Sequence, residues 1–236
     1  MRYNEPHIGI AAVKVLEALG FEVTLAQDRQ CCGRPAFSQG NLDYAGELGN
    51  HNVDILNSLS QHLNSSTPQQ SATPVLFLEP SCYSMFVEDY RELKIPSAEE
   101  LAKRCFLFEK FVDDLLAREP TALQFQDRQE HVAIHAHCHA KSLLNTEFMA
   151  RLVERLPGRT VTLLETGCCG MAGAFGMLAE KYDLSVQVAA DLLSKIDNQP
   201  SETTVIASGT SCRHQISDLS AARPKHMAEV IADAIA

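Results

Sequence analysis

Eight cysteines stand at positions 31, 32, 82, 105, 138, 168, 169 and 212 of this 236-residue chain. Four of them form two adjacent pairs, Cys31-Cys32 and Cys168-Cys169, and a glycine follows each pair, Gly33 and Gly170. Cys82 and Cys212 each follow a serine, and Cys138 lies between His137 and His139. Thiolates are soft metal ligands and strong nucleophiles, and four of them suit tetrahedral zinc or an iron–sulfur cluster. Cys138, Cys168, Cys169 and Cys212 supply four in the second half of the chain. Cys31, Cys32 and Cys82 supply three in the first half, a set one ligand short. Two adjacent cysteines can face one cavity only across a sharp backbone turn, and Gly33 and Gly170 provide that freedom.

His135, His137 and His139 alternate along the chain, so on an extended strand they share one face and Cys138 takes the other. His137, His139 and His214 are expected to line the site, as ligands or as a proton relay. Cys105 falls in a helical core pattern, Leu101 to Leu116, and reads as structural. The plainer alternative for the paired cysteines is burial as small apolar side chains. Gly170, Gly173 and Gly176 are spaced by three, which is not the dinucleotide fingerprint, and no P-loop lysine is present. Arg34, Lys141 and Arg213 could contact a carboxylate, although an ordinary surface role is favoured for each.

The rest of the composition narrows the setting. Apolar residues make up 45% and charged residues 21%, enough for a packed core. The net charge of −10 argues against a general nucleic-acid or anionic-membrane binder. No apolar run is long enough to span a bilayer, and the opening residues lack a signal-peptide layout. A cytoplasmic location follows as the expectation, with attachment to the inner membrane through partners as the further option. In a reducing compartment such cysteines serve metal or redox chemistry more often than structural disulfides.

The elements that must position the thiols occur twice. The two Cys-Cys-Gly runs are 137 positions apart. Sliding the chain by that offset sets Val15–Leu19 on Leu152–Leu156, and the β-prone run Phe21–Leu25 near Arg159–Leu163. A helical pattern follows each pair, Tyr44–Leu59 and Ala179–Ile196. Next comes a polar loop with proline, Asn64–Pro74 and Asp197–Thr203, and then an apolar strand ending in Ser-Cys, at Cys82 and Cys212. The expected fold is therefore α/β, a tandem duplication of a small βαβ-type unit with largely parallel sheets, its cysteines at the strand carboxyl ends where open α/β sheets place ligands. The repeats are set at residues 1–118 and 131–236, with 119–130 as a polar linker and Ala98–Arg118 as an amphipathic helix. The offset maps Cys138 onto Met1, so the first repeat lacks the counterpart of the strand His131–His137. A fragment of a longer polypeptide is the expected explanation, and a natural strand-less first repeat the alternative.

The ordered set Cys-Cys-Gly, Ser-Cys, His-Cys-His, Cys-Cys-Gly, Ser-Cys resembles the cysteine-rich CCG domain family. The residues that carry the resemblance are Asn4-Glu5-Pro6 with Gly9, Cys31-Cys32-Gly33-Arg34-Pro35, His137-Cys138-His139-Ala140-Lys141, Thr166 through Gly173, and Gly209 through Gln215. They cover nearly the whole chain. The family occurs in the cysteine-rich component of heterodisulfide reductase, in iron–sulfur subunits of glycolate oxidase and anaerobic glycerol-3-phosphate dehydrogenase, and in lactate-utilisation proteins. This chain is also similar to the C-terminal part of FAD-linked D-lactate or D-2-hydroxyglutarate dehydrogenases fused to iron–sulfur domains. The resemblance implies a [4Fe–4S] centre, or zinc as in some relatives. It also implies partner domains or subunits carrying FAD and ferredoxin-like clusters, and an electron acceptor downstream. One departure stands out. The fullest family pattern has Cys-x-x-Cys in each repeat, and Glu79 and Gly209 replace its first cysteine here, which removes the basis for a five-cysteine cluster.

The leading expectation is thus an iron–sulfur electron-transfer module of a flavin-dependent 2-hydroxy-acid dehydrogenase (D-lactate, glycolate or D-2-hydroxyglutarate type), with substrate oxidised on a flavin domain outside this chain. A structural zinc module without redox activity, or a metal-free thiol oxidoreductase using Cys168 or Cys169, are the alternatives.

Overall fold

The computed structural model describes residues 4–65 and 73–236. In chain order the first repeat comprises α1 (Pro6–Ala18), α2 (Arg34–Ser38), α3 (Leu42–Ser65), β1 (Val75–Phe77), α4 (Pro80–Ser84), a π-helical turn over Met85–Asp89, α5 (Tyr90–Glu92), α6 (Ala98–Ala102), β2 (Cys105–Leu107) and α7 (Phe108–Arg118). The second comprises β3 (Glu130–His135), α8 (Cys138–Leu143), α9 (Glu147–Glu154), β4 (Arg159–Leu163), a 3-10 turn at Phe175–Met177, α10 (Tyr182–Asp197), β5 (Thr204–Ala207), α11 (Thr210–Leu219) and α12 (Met227–Ala234). Strands alternate with helices, and every strand pairing is parallel. The expected α/β duplication is the fold.

The chain packs as two compact units whose boundaries are not those of the repeats. One takes the chain up to Val23 together with Phe108–Ala236, and the other is Thr24–Leu107. In the larger unit the sheet order is β4-β3-β5. Val132 to His135 of β3 are all buried, as expected for a central parallel strand covered on both faces. Register sets Ile134 beside Leu163 and Ile206, and His135 beside Ala207, so the loops after these strands open at one edge. α1 starts on Pro6, whose fixed φ suits the first helical turn. Its buried Ile8, Ala12, Val15 and Leu16 recur at helical spacing, and α1 packs against α12. His226 and Glu229 close a reciprocal capping box at the start of α12. Within the expected linker 119–130, Phe125 bridges Ile235, and the Gln126 amide donates to the Ala234 carbonyl at 2.8 Å.

Beneath the strand ends, Ala133, Leu164, Met171, Leu192, Ile196, Val205 and Ile216 form an apolar cluster that includes Cys169 and Cys212. α10 feeds it through Leu192 and Ile196 and leaves Leu184 and Val188 in solvent.

In the smaller unit β1 pairs only with β2, Val75 lying beside Cys105. This corrects the helix read across Ala98–Arg118. The spacing of Leu101, Cys105, Phe108, Val112 and Leu116 is helical, but pairing with β1 draws Cys105-Phe106-Leu107 into a strand, and tertiary pairing overrides a local period. Phe21–Leu25, read as β-prone, forms no strand. Its counterpart Arg159–Leu163 is held by the central strand β3, and among the described residues the first repeat has no element in that place. Phe21, Val23 and Leu25 remain exposed. Most of the polar loop Asn64–Pro74 lies outside the described residues.

Candidate metal centre

The four thiols of the second half come from three turns at the open edge of the β4-β3-β5 sheet. β3 ends at His135, and the chain turns into α8 with His137 as N-cap and Cys138 as first residue. The expected row of three histidines on one strand face is therefore not formed. His135 ends the strand, His137 caps, and His139 sits in the first turn of a helix, which brings Cys138 to the side of the thiols. β4 leads into Cys168-Cys169-Gly170, and β5 into α11, whose first turn carries Cys212.

The four thiols bear on one another's acidity in sequence, Cys138 on Cys168, Cys168 on Cys169 and Cys169 on Cys212. Cys169 and Cys212 are buried, while Cys138 and Cys168 are partly exposed. Their acidities divide accordingly. The hydrogen bond from Cys138, then that from Cys169, and the amides of Gly170 and Ala172 hold Cys168 far below the ordinary thiol value against the opposing effect of burial. The Gly170 amide lies 3.4 Å from Cys168 Sγ. Cys212 is also lowered, first by the Cys169 hydrogen bond and, against burial, by His135 and by the charge of His137. Cys138 and Cys169 are raised, because each gives its hydrogen bond to a neighbouring sulfur and is desolvated. The lowered acidities of Cys168 and Cys212 favour negative charge in a partly apolar site. A cation would relieve it.

The turn is locked from behind. Gly170 has φ +93°, and its carbonyl accepts from Ser185 Oγ at 3.0 Å, which in turn accepts from Gln215 Nε2 at 2.9 Å. Lys141 Nζ reaches the Thr166 and Gly167 carbonyls at 2.5 and 2.9 Å, tying α8 to the approach of the cysteine pair. Arg213 is buried, bonded to the Ala207 and Ser208 carbonyls and to Glu5. Neither Lys141 nor Arg213 is a free anion contact or an ordinary surface charge. Arg34 is likewise engaged, by Asp89 and Ser84.

Of the expected lining residues, His137 is buried and its Nδ1 is 3.9 Å from Cys138 Sγ. His139 stacks edge-on against His137 at 5.1 Å. His214 is exposed and acts electrostatically on Glu5, away from the thiols. The residue that sequence reasoning left off the lining is His135. It is completely buried, its Nδ1 is 2.8 Å from Thr166 Oγ1, and among the described residues its Nε2 has no hydrogen-bond partner. The alternating pattern contained it, but only the end of β3 distinguishes it from its neighbours.

In the smaller unit Cys31, Cys32 and Cys82 also meet, through hydrogen bonds of Cys32 to both others. The bond to Cys32 and burial push Cys31 up. Cys32 is lowered by Cys31, but Cys82 and burial outweigh that and carry it up to about 12. Neither Cys31 nor Cys32 is favoured as a thiolate. Asn52 Nδ2 holds the Cys31 carbonyl at 2.9 Å, and the Tyr90 hydroxyl the Cys32 carbonyl at 2.9 Å, so the turn is firmly built. Gly33 repeats the left-handed conformation at φ +86°. Glu79 turns its carboxylate onto Ser81 as a helix cap. Cys105 is apart, its Sγ donating to the Leu101 carbonyl at 3.2 Å.

Among the described residues no group of three or more His, Cys, Asp or Glu is preset as a metal cage. The donor chemistry nevertheless fits a thiolate-bound metal: four sulfurs from three turns, with the Gly170 amide at Cys168 and the His137 ring beside Cys138.

A family model for the cysteine-rich CCG domain matches residues 1–86 and 132–217, one copy on each repeat. The chain belongs to the cysteine-rich CCG domain family. Among curated proteins it is similar to a subunit of the anaerobic glycerol-3-phosphate dehydrogenase of Escherichia coli K12, at 26% identity over all 236 residues and 57% of that protein's length. It is also similar to lactate utilization protein A of Bacillus thuringiensis, at 28% identity over 205 residues, 82% of this chain and 81% of the relative. No solved structure matches it. The chain thus spans little more than half of the first of these relatives. No helix among the described residues is long and apolar enough to cross a membrane.

Proposed function

We propose that this CCG chain is an electron-transfer module of a multi-component dehydrogenase, and that Cys138, Cys168, Cys169 and Cys212 hold its metal centre, a [4Fe–4S] cluster. The observation that carries the reading is the convergence of Cys138, Cys168, Cys169 and Cys212 from three turns at one edge of the β4-β3-β5 sheet. Uncompensated thiolates in a partly apolar setting are costly, which supports a bound metal. Both relatives are named for dehydrogenation or lactate use, which supports an oxidoreductase setting. We assign substrate oxidation, of a 2-hydroxy acid or a related alcohol, to a flavin-bearing partner component.

When bound, the cluster accepts and releases single electrons. The chain's own residues do the rest. Gly170 and Ala172 turn their amides to Cys168, which favours the more negative form of the sulfur. Leu164, Met171 and Ile216 exclude water from Cys169 and Cys212. The three-thiol set Cys31, Cys32 and Cys82 is a second, incomplete site.

The test is a serine scan on protein purified anaerobically. Cys138→Ser, Cys168→Ser, Cys169→Ser and Cys212→Ser should each lose most bound iron, while Cys105→Ser keeps it. Loss of iron only with changes at 31, 32 or 82 would move the centre to the other unit and refute the assignment.

A further inference from the structure

Glycines recur at 170, 173 and 176, every third residue after the cysteine pair, and metal binding by the thiols does not account for the last of them. Gly176 is buried and its φ is not positive, so space selects glycine there. A Cβ at 176 would overlap Ser185 Oγ and stand 2.8 Å from Met171 Sδ. A Cβ at 170 would overlap the Ser185 carbonyl oxygen and stand 3.2 Å from Gln215 Nε2. Both ends of the loop 170–176 therefore close on one residue, Ser185, near the start of α10. The Gly176 amide donates to the Met171 carbonyl at 3.0 Å and shuts the loop.

The Ser185 hydroxyl has a direction. Ser185 and Gln215 are both buried, and Gln215 Nε2 lies 2.9 Å from Ser185 Oγ. An amide nitrogen only donates, so the hydroxyl accepts from it, and its own proton goes to the Gly170 carbonyl at 3.0 Å. Gly170 is thus held at both polar ends, its N–H 3.4 Å from Cys168 Sγ and its C=O at Ser185. Gln215 follows Cys212 by three positions on α11, so the two share one side of that helix. The line from Gln215 through Ser185 to Gly170 joins the helix that carries Cys212 to the turn that carries Cys168 and Cys169.

We propose that Ser185 and Gln215 are positioning residues of the metal centre, which hold the turn of Cys168 and Cys169 at a fixed spacing from Cys212 before metal enters. Neither is a ligand. Ser185 is the peg around which the loop closes, and the glycines at 170 and 176 are the space that the peg requires. A buried line of satisfied hydrogen bonds fixes one arrangement of the two turns, because any other leaves the Gly170 carbonyl or the Gln215 amide unpaired. The effect of the pair on metal presupposes the ligand assignment made above; its hold on the loop does not.

The test compares Ser185→Ala, Gln215→Met and the double variant with wild type, all in the full chain. Asp113→Ala, on α7 and outside the site, is the control for lost stability alone. Bound metal, iron or zinc, is followed as it passes to excess EDTA. Removing a group that orients metal ligands costs about 10–100-fold in metal affinity, so Ser185→Ala should release metal at least about ten-fold faster than wild type. Gln215→Met should also release it faster, and the double variant no faster than Ser185→Ala, because both changes act through one hydroxyl. Asp113→Ala should release it at the wild-type rate. In metal-free protein, hydrogen exchange over residues 168–176 should quicken in Ser185→Ala while that of α12 stays unchanged. Wild-type release from Ser185→Ala, single effects that multiply in the double variant, or release from Asp113→Ala as fast as from Ser185→Ala overturns the positioning role. Unchanged exchange overturns the hold on the loop. If wild-type protein binds no metal, the ligand assignment falls and the positioning role with it, while exchange still decides whether Ser185 fixes the turn.

Discussion

The turn at Gly170 offers the sharpest test of how this site is built. An alanine there meets two separate costs. Its φ of +93° lies in the left-handed region, where an L side chain costs about 1–2 kcal/mol. Its Cβ would also stand 2.2 Å from the Ser185 carbonyl oxygen, a backbone atom that cannot rotate aside. Forcing extra volume into such a packed position costs about 1–3 kcal/mol, so Gly170→Ala should lose about 2–5 kcal/mol in all. Gly33 is the internal control. It has nearly the same φ, +86°, but its nearest contact would be the Ala45 carbonyl at 3.2 Å. Only the conformational cost applies in full, about 1–2 kcal/mol. Against a typical stability of about 5–15 kcal/mol both variants fold, and urea unfolding followed by circular dichroism resolves them. Gly170→Ala should be the weaker by about 1–3 kcal/mol, the overpacking cost alone. Equal losses, or a loss under about 1 kcal/mol at Gly170 where left-handed strain alone predicts more, would refute the claim that the Ser185 backbone fixes this turn.

Three further outcomes are expected. In metal-free protein at neutral pH, iodoacetamide should label Cys168 faster than Cys31, although Cys31 is the more exposed, because its neighbours lower Cys168 and raise Cys31; peptide mass spectrometry showing Cys31 first would contradict this. Burial pushes the Glu5 carboxyl up, but Arg213 and Thr210 outweigh it and hold it below its ordinary 4.5. The stability it contributes is therefore present above that value and lost as pH falls through the lower folded-state value, and Glu5→Gln should flatten the acid limb of a pH–stability curve. Asp113 is buried between Arg151 and Arg155, so Asp113→Ala should cost about 2–3 kcal/mol in urea unfolding, the range for charge-assisted hydrogen bonds; a loss within error would show the pair to be idle.

The duplication and its chemistry were legible because cysteines and glycines are sparse and their spacing repeats. Both Cys-Cys-Gly turns adopt the left-handed glycine that the sequence required, and the thiols of each half meet. The failures have physical causes. Leu101 to Leu116 carries a true helical period, yet its middle pairs with β1, and no local pattern encodes that partner. Phe21–Leu25 has strand-forming residues but, among the described residues, no central strand to hold it. The histidines followed a period of two that ended at His135, where α8 begins. Arg213 looked like surface charge because its partner, Glu5, lies some two hundred residues away in sequence.

The central claim is that Cys138, Cys168, Cys169 and Cys212 hold a redox-active metal centre. Metal and acid-labile sulfide analysis of anaerobically purified protein, with its visible spectrum before and after dithionite, tests that claim most directly. The account predicts iron and sulfide in equal amounts, about four of each per chain, with a broad band near ~400 nm that bleaches on reduction. One zinc per chain with no visible band, or no metal at all, would contradict it.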